Sequence, residues 1–289
     1  MPPRTGPSRK RIVTLTSDVG WAYAAQMKAA LISGGVPPGA IVDLAHDLPA
    51  HAVGEAAFVV RAMARGYPKR SVHVVVVDPG VGGRRFPVVV ETRTGPVLVG
   101  PDNGVLYPLA REFGWRATYR IDRSRLQVPP RVGSTFDGRD LFAPAAALLA
   151  GGARPATLGP PVTLTPLTLP EPRRQPSGLT GEVVHVDRFG NLITNIPSSW
   201  WPPSADRAEL RVGRRRVRGA GFSTSYEGLG HGNVGLLPSS FGLLEVAVGE
   251  GRAADRLRAR VGTPVAVVAL GRAARRGENA NSARPRNRG

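Results

Sequence analysis

The chain has 289 residues, 42% of them hydrophobic, enough to bury one large core or two ordinary ones. It contains no cysteine, which excludes disulfides, thiolate metal sites and cysteine nucleophiles; a reducing cytosol is compatible with this, and no metal is expected. The net charge is +18, yet nine of those excess charges fall in residues 1–11 and 272–289, whose Pro, Gly, Ser and Asn content predicts disordered tails rather than a nucleic-acid surface. No apolar run suited to a signal peptide follows the basic start, and no window reaches the length of a membrane span. The expectation is a soluble cytoplasmic protein with no membrane contact and no specific nucleic-acid partner.

Along the chain, RIVTLTSDVG (11–20) reads as a strand ending in polar residues and glycine, followed by a helix over WAYAAQMKAALISGG. IVDLAHDL (41–48) is a second strand and AVGEAAFVVRAMARGY (52–67) an amphipathic helix. The β-branched run in SVHVVVVDPG (71–80) suits a strand buried on both faces of a parallel sheet. PVVVET and PVLVG form a hairpin across RTG, and helices are expected at VLYPLAREFG and at LFAPAAALLAGG (141–152). This alternation predicts an α/β domain over 12–160 with a mostly parallel sheet, whose ligands bind at the carboxyl ends of strands. Residues 161–179 are too proline-rich for a helix or central strand and read as a linker. Short strands separated by turns then predict a smaller all-β, barrel-like domain over 180–271, including a strand pair with a basic turn at RVGRRRVR.

Four polar loops follow apolar strands: TSDVG (16–20), DPGVGGRR (78–85), PDNG (101–104) and STFDGRD (134–140). Singly, each is ambiguous. Asp18 either caps the next helix or holds a ligand. PDNG can be a turn in which Asn103 and Gly104 adopt left-handed conformations, and Asp140 can cap a helix starting at Leu141. The glycines of DPGVGG allow backbone amides to approach a ligand, but match neither a P-loop nor a dinucleotide fingerprint. Asp78 and Arg85 can be a structural ion pair or a reaction centre.

Taken in order with DRFGNLITNI (187–196) and SSFGLLEVAV (239–248), these motifs resemble the S-adenosylmethionine hydroxide adenosyltransferases, relatives of the fluorinase and chlorinase, over residues 12–268. The resemblance implies a Rossmann-like N-terminal domain, a C-terminal β-barrel, and a homotrimer with active sites between the N-terminal domain of one subunit and the C-terminal domain of the next. The implied reaction converts S-adenosylmethionine and water into adenosine and methionine, with no cofactor, because the sulfonium leaves as a neutral thioether. Asp78 would hold or deprotonate the water and Arg85 would orient Asp78. The family motif STFHGRD reads STFDGRD here, so Asp137 replaces a histidine; an ordinary Asp titrates near ~3.9 rather than ~6.5 and cannot donate when ionised. Two carboxylates sharing one arginine could share a proton and still act on water, or the change could slow or abolish turnover.

For the substrate, the resemblance assigns Asp18 to the ribose hydroxyls, Asp187 to the methionine ammonium, Ser240 to its carboxylate and Asn191 to the adenine edge. Phe189 and Phe241 would wall the pocket or belong to the barrel core. His51 falls either near the ribose or at an ordinary helix start. Ser239 stands where the family has Asn, and TSDVG departs from the family's TDFG, so both ends of the pocket can differ in shape. Competing readings are a halogenase, disfavoured because two carboxylates repel a halide, and a substrate binder that has lost catalysis.

Overall fold

The computed structural model describes residues 11–126, 128, 133 and 135–271; the expected tails, apart from Arg11, lie outside this set, as does Ser134 of the STFDGRD motif. Two compact units divide between Pro170 and Glu171. Among the described residues no helix is long and apolar enough to cross a membrane.

In the first unit, β1 (Val13–Ser17), α1 (Gly20–Ser33), β2 (Ile41–Ala45), α2 (Val53–Ala64) and β3 (Val72–Val76) are followed by β4 (Pro87–Thr92), β5 (Val97–Pro101), α3 (Tyr107–Glu112), β6 (Trp115–Arg120) and α4 (Ala143–Ala150). The strands form one mixed sheet in the order β2-β1-β3-β5-β4-β6. β2, β1, β3 and β5 are mutually parallel, whereas β4 is antiparallel to both of its neighbours. The buried valine run of β3 serves both faces, as period-two alternation requires: Val72, Val74 and Val76 pack towards α1 and α4, while Val75 and Val77 pack towards α2 and α3. β6 gave no sequence signal because it is an edge strand of largely half-exposed residues.

The proline-rich stretch is not a free tether. Leu164 is buried against the α2–α3 side, the Val162 amide donates to the Thr118 carbonyl (2.9 Å), and the Thr165 amide donates to the Asp102 carboxylate (2.7 Å). Extended chain at the sheet margin suits proline, which has no ladder N–H to give.

The second unit holds β7 (Arg173–Gln175), β8 (Gly178–Val186), β9 (Leu192–Pro197), β10 (Ala205–Val212), β11 (Arg215–Phe222), β12 (Val234–Pro238), β13 (Leu243–Val248), the single-turn α5 (Ala253–Leu257) and β14 (Pro264–Gly271). The order β14-β10-β11-β12-β13-β9-β8 closes on itself through β14–β8 pairing, giving a seven-stranded barrel with β7 added outside β8. Closure removes the free edges that an open sheet would leave. Leu192, Ile196, Leu210, Leu236, Leu244 and Val246 fill its interior.

Candidate active site

Because β1, β2, β3 and β5 run parallel, their carboxyl ends gather on one edge of the sheet. Asp18, His46, Asp78 and Asn103 all follow those ends. The PDNG loop clamps this edge: Asn103 Nδ2 donates to the Val77 carbonyl at 2.9 Å and its Oδ1 accepts from the Val105 amide at 3.2 Å. Only Gly104 of that loop is left-handed (φ +95°), so the role expected of Asn103 as a second left-handed residue is replaced by side-chain bonding next to Asp78.

Arg85 curls back over the glycine loop to Asp78. Its Nε donates to Asp78 Oδ2 at 2.8 Å, and its Nη2 donates both to that oxygen and to Asp137 Oδ2, the latter at 2.5 Å. The Asp78, Arg85 and Asp137 side chains are only 5%, 11% and 3% exposed, so solvent screens the trio weakly. The Gly80 amide adds a 3.2 Å bond to Asp78 Oδ1. A Cβ on Gly80 would lie 3.2 Å from the Arg85 side chain, which explains a glycine where the arginine stem returns. One guanidinium bridges two carboxylates, an acceptor-rich arrangement suited to a cation or to a water molecule that must give up a proton. Arg85, Asp137, Gly83 and Leu141, but not Asp78, border a cavity of about 290 Å³. A larger cavity of about 680 Å³, bordered by α1 and α4, includes none of the trio.

Asp137 reaches Arg85 because of how the last motif folds. A π-helical turn, Gly138–Phe142, precedes α4, and Asp137 sits at its N-cap without a side-chain capping bond. Its carboxylate therefore points to Arg85 rather than to its own backbone. A Cβ on Gly138 would stand 2.9 Å from the Phe136 ring and 3.0 Å from Met27 sulfur, so any other residue must displace these neighbours. Asp140 lies inside this turn and pairs with Arg139 (2.6 Å); it does not cap a helix beginning at Leu141.

Asp18 is not a cap either. Val19 occupies the N-cap of α1 without a side-chain bond, and Asp18 Oδ2 accepts from the His51 amide at 2.8 Å. His51 contributes that amide from a left-handed backbone (φ +66°), a conformation uncommon outside glycine, while its side chain is exposed. Behind Asp18 lie Ser17, within TSDVG but given no role there, and His46, Asp43 and Lys28, which stand outside the motifs.

In the barrel unit, Asp187 and Asn191 close the β8–β9 turn together. Asp187 Oδ1 accepts from the Asn191 amide (2.8 Å) and Oδ2 from its Nδ2 (3.0 Å), with left-handed Gly190 (φ +84°) between them. Tyr226 and Glu245, missed in the sequence, join them: the Tyr226 hydroxyl donates to Glu245 Oε1 at 2.7 Å. Burial pushes the Glu245 carboxyl up and the Asp187 charge adds to this, outweighing the Tyr226 bond. Burial, then Glu245, then Asp187 push the Tyr226 phenol up to about 12. A lone acid inside the apolar run LLEVAV was the available signal for Glu245.

Ser240 is exposed on the β12–β13 turn, which Ser239 shapes by accepting from the Phe241 and Leu243 amides, both at 3.3 Å. Leu192 lies opposite Val246 and Pro197 opposite Leu243, so the Asp187 and Ser240 turns flank opposite ends of the β9–β13 pair. Phe189 is 73% exposed, which removes the barrel-core alternative for it, and half-buried Phe241 stands outside the core cluster too.

Residues 13–159 match the family model for the SAM hydroxide adenosyltransferase N-terminal domain, and residues 181–266 match the C-terminal domain. An (R)-S-adenosyl-L-methionine hydrolase of Salinispora tropica is 39% identical over 240 residues, covering 81% of this chain and 88% of the relative. One from Thermus thermophilus is 38% identical over 270 residues, covering 88% and 98%. The crystal structure of an uncharacterised conserved protein from Thermotoga maritima superimposes with a TM-score of 0.80 at 30% identity, over 89% of this chain and 99% of the other. With both domain models matched in order across most of its length, this chain belongs to the SAM hydroxide adenosyltransferase family.

Proposed function

We propose that this chain is a hydrolase that converts S-adenosyl-L-methionine and water into adenosine and L-methionine. The observation that carries the reading is the buried trio in which Arg85 bridges Asp78 and Asp137 at the carboxyl end of β3. A water held by Asp78 attacks ribose C5′ in line with the sulfonium. The oxygen–carbon bond forms as the carbon–sulfur bond breaks, sulfur keeps the electron pair as a neutral thioether, and the water's proton passes to the carboxylate. Arg85 fixes the direction of both carboxylates. No cofactor or metal enters this reading, because a thioether needs no acid to leave.

In the same reading Asp18 accepts the two ribose hydroxyls near His51, Asn191 meets the adenine edge, Asp187 the ammonium and Ser240 the carboxylate, with Phe189 and Phe241 as walls. The ammonium and carboxylate of methionine share one carbon, whereas the Asp187 and Ser240 turns flank opposite ends of the β9–β13 pair, so a structure with bound S-adenosyl-L-methionine tests whether one methionine meets both. The α/β unit is Rossmann-like, the assembly is a homotrimer with sites between the α/β unit of one subunit and the barrel of the next, and the compartment is the cytoplasm. A mass from light scattering tests the trimer.

A second reading, a substrate binder without turnover, is favoured by one observation: Asp137 stands where the family has histidine and takes an Arg85 bond. Purified protein is incubated with each sulfonium epimer of S-adenosyl-L-methionine, with and without halide, and adenosine, methionine and 5′-halogenated adenosine are followed. Equimolar adenosine and methionine are expected. Binding without turnover supports the second reading, and a halogenated product overturns both.

A further inference from the structure

We propose that Lys28, Asp43, His46 and Ser17 form a positioning relay that holds the Asp18 loop in the shape that receives the ribose hydroxyls. The proposal rests on the reading that Asp18 binds those hydroxyls. The relay crosses three elements: Lys28 Nζ on α1 donates to Asp43 Oδ2 on β2 at 2.5 Å, Asp43 Oδ1 meets His46 Nε2 at 2.9 Å, and His46 Nδ1 meets Ser17 Oγ at 2.7 Å. Ser17 is 0% and His46 1% exposed, so neither can exchange its partner for water.

The Asp43 end of the chain fixes the direction of its bond to His46. Burial alone would raise the Asp43 carboxyl, but the Lys28 and His46 hydrogen bonds outweigh it and hold the group below its usual range. An ionised carboxylate only accepts, so His46 Nε2 carries a hydrogen and donates to Asp43. His46 Nδ1 meets the Ser17 hydroxyl, which can donate or accept as the ring requires. The charge pair at the helix thereby fixes the ring's orientation, and the ring holds the serine.

The relay ends on the ligand loop. Ser17 immediately precedes Asp18, and the His46 carbonyl also accepts from the Gly20 amide at 3.1 Å, so His46 grips the loop on both sides of Asp18. The Trp21 ring packs edge-on against His46 with centroids 5.0 Å apart, and Lys28 Nζ lies 6.0 Å from the Trp21 centroid, closing the loop's outer side. Val19 provides no side-chain cap; besides the relay, the Asp18 amide donates to the Val76 carbonyl at 3.4 Å and the Asp18 carboxylate accepts from the His51 amide. Ser17 is too buried to serve as a nucleophile, which separates this Ser–His–Asp sequence from a hydrolytic triad.

The test measures diol discrimination: the affinity for adenosine divided by that for 2′,3′-dideoxyadenosine, by calorimetry on the full chain. Asp18→Asn tests the underlying reading, and a variant that keeps the wild-type ratio sinks the ribose role of Asp18. Given that Asp18→Asn lowers the ratio, Asp43→Asn and Ser17→Ala should each lower it by about fivefold or more through lost hydrogen-bond orientation, with dideoxyadenosine affinity within about twofold of wild type. For S-adenosyl-L-methionine the loss should fall on KM rather than kcat, as expected for lost ground-state positioning. Lys28→Met, at the more exposed end, reads the same effect if the buried variants fold poorly, and Lys28→Arg should restore the ratio. Folded relay variants with an unchanged ratio, or a loss confined to melting temperature, overturn the proposal.

Discussion

Replacing Arg85 with methionine removes the cation that bridges two buried carboxylates, and the consequences follow from the geometry. Asp78 and Asp137 both accept from the same Arg85 nitrogen, which puts their oxygens roughly 5 Å apart or closer. At an effective dielectric of about 20, two like charges at that separation repel by about 3 kcal/mol, a repulsion that binding one proton relieves. At pH 8 Arg85→Met should be destabilised by about 3–5 kcal/mol, the usual cost of orphaning a buried charge. A folded state that binds an extra proton gains stability as pH falls and loses it as pH rises, so part of that loss should be recovered at pH 5 relative to wild type. Urea unfolding of both proteins at the two pH values measures this. Arg85→Met/Asp137→Asn, left with one carboxylate, should lose the pH-dependent recovery. Equal destabilisation at both pH values, or less than about 1 kcal/mol at pH 8, refutes the shared-charge account of the trio.

Three further outcomes are expected. Asp78→Ala should lower kcat by about 10²-fold or more, with the KM for S-adenosyl-L-methionine little changed, if it handles the proton of water; single-turnover adenosine release reads this, and retained turnover assigns the water elsewhere. Gly138→Ala forces a Cβ to 2.9 Å from the Phe136 ring and 3.0 Å from Met27 sulfur, so it should cost about 1–3 kcal/mol in urea unfolding and lower activity by moving Asp137. His73 is held by burial at a pKa of about 4 against an ordinary 6.5, so its native state resists protonation. The associated stability is complete above pH 6.5 and falls as pH drops towards 4, by up to about 3 kcal/mol; the wild type minus His73→Gln difference in unfolding free energy should carry that slope.

The sequence by itself was enough for whatever depends on local pattern. The β-branched run before Asp78 suited a doubly buried strand, the glycines of DPGVGGRR marked a loop that lets backbone approach a ligand, and the ordered motifs pointed to the family and to Asp78 with Arg85. Tertiary structure decided what long separations control. Arg85 and Asp137 stand 52 residues apart, and a π-helical turn rather than a capped α-helix aims Asp137 inward. That Asp18 is not a helix cap was decided by the His51 amide, 33 residues away, from which its carboxylate accepts. Ser17, His46, Asp43 and Lys28 look unremarkable in their own segments and become one hydrogen-bonded chain only when β1, β2 and α1 pack together. Tyr226 reaches Glu245 and the Asp187–Asn191 turn only because the strands curl into a barrel. Hydrophobic periodicity records which face of an element is buried, but not which distant partner a polar group finds there, since that depends on the packing of whole elements.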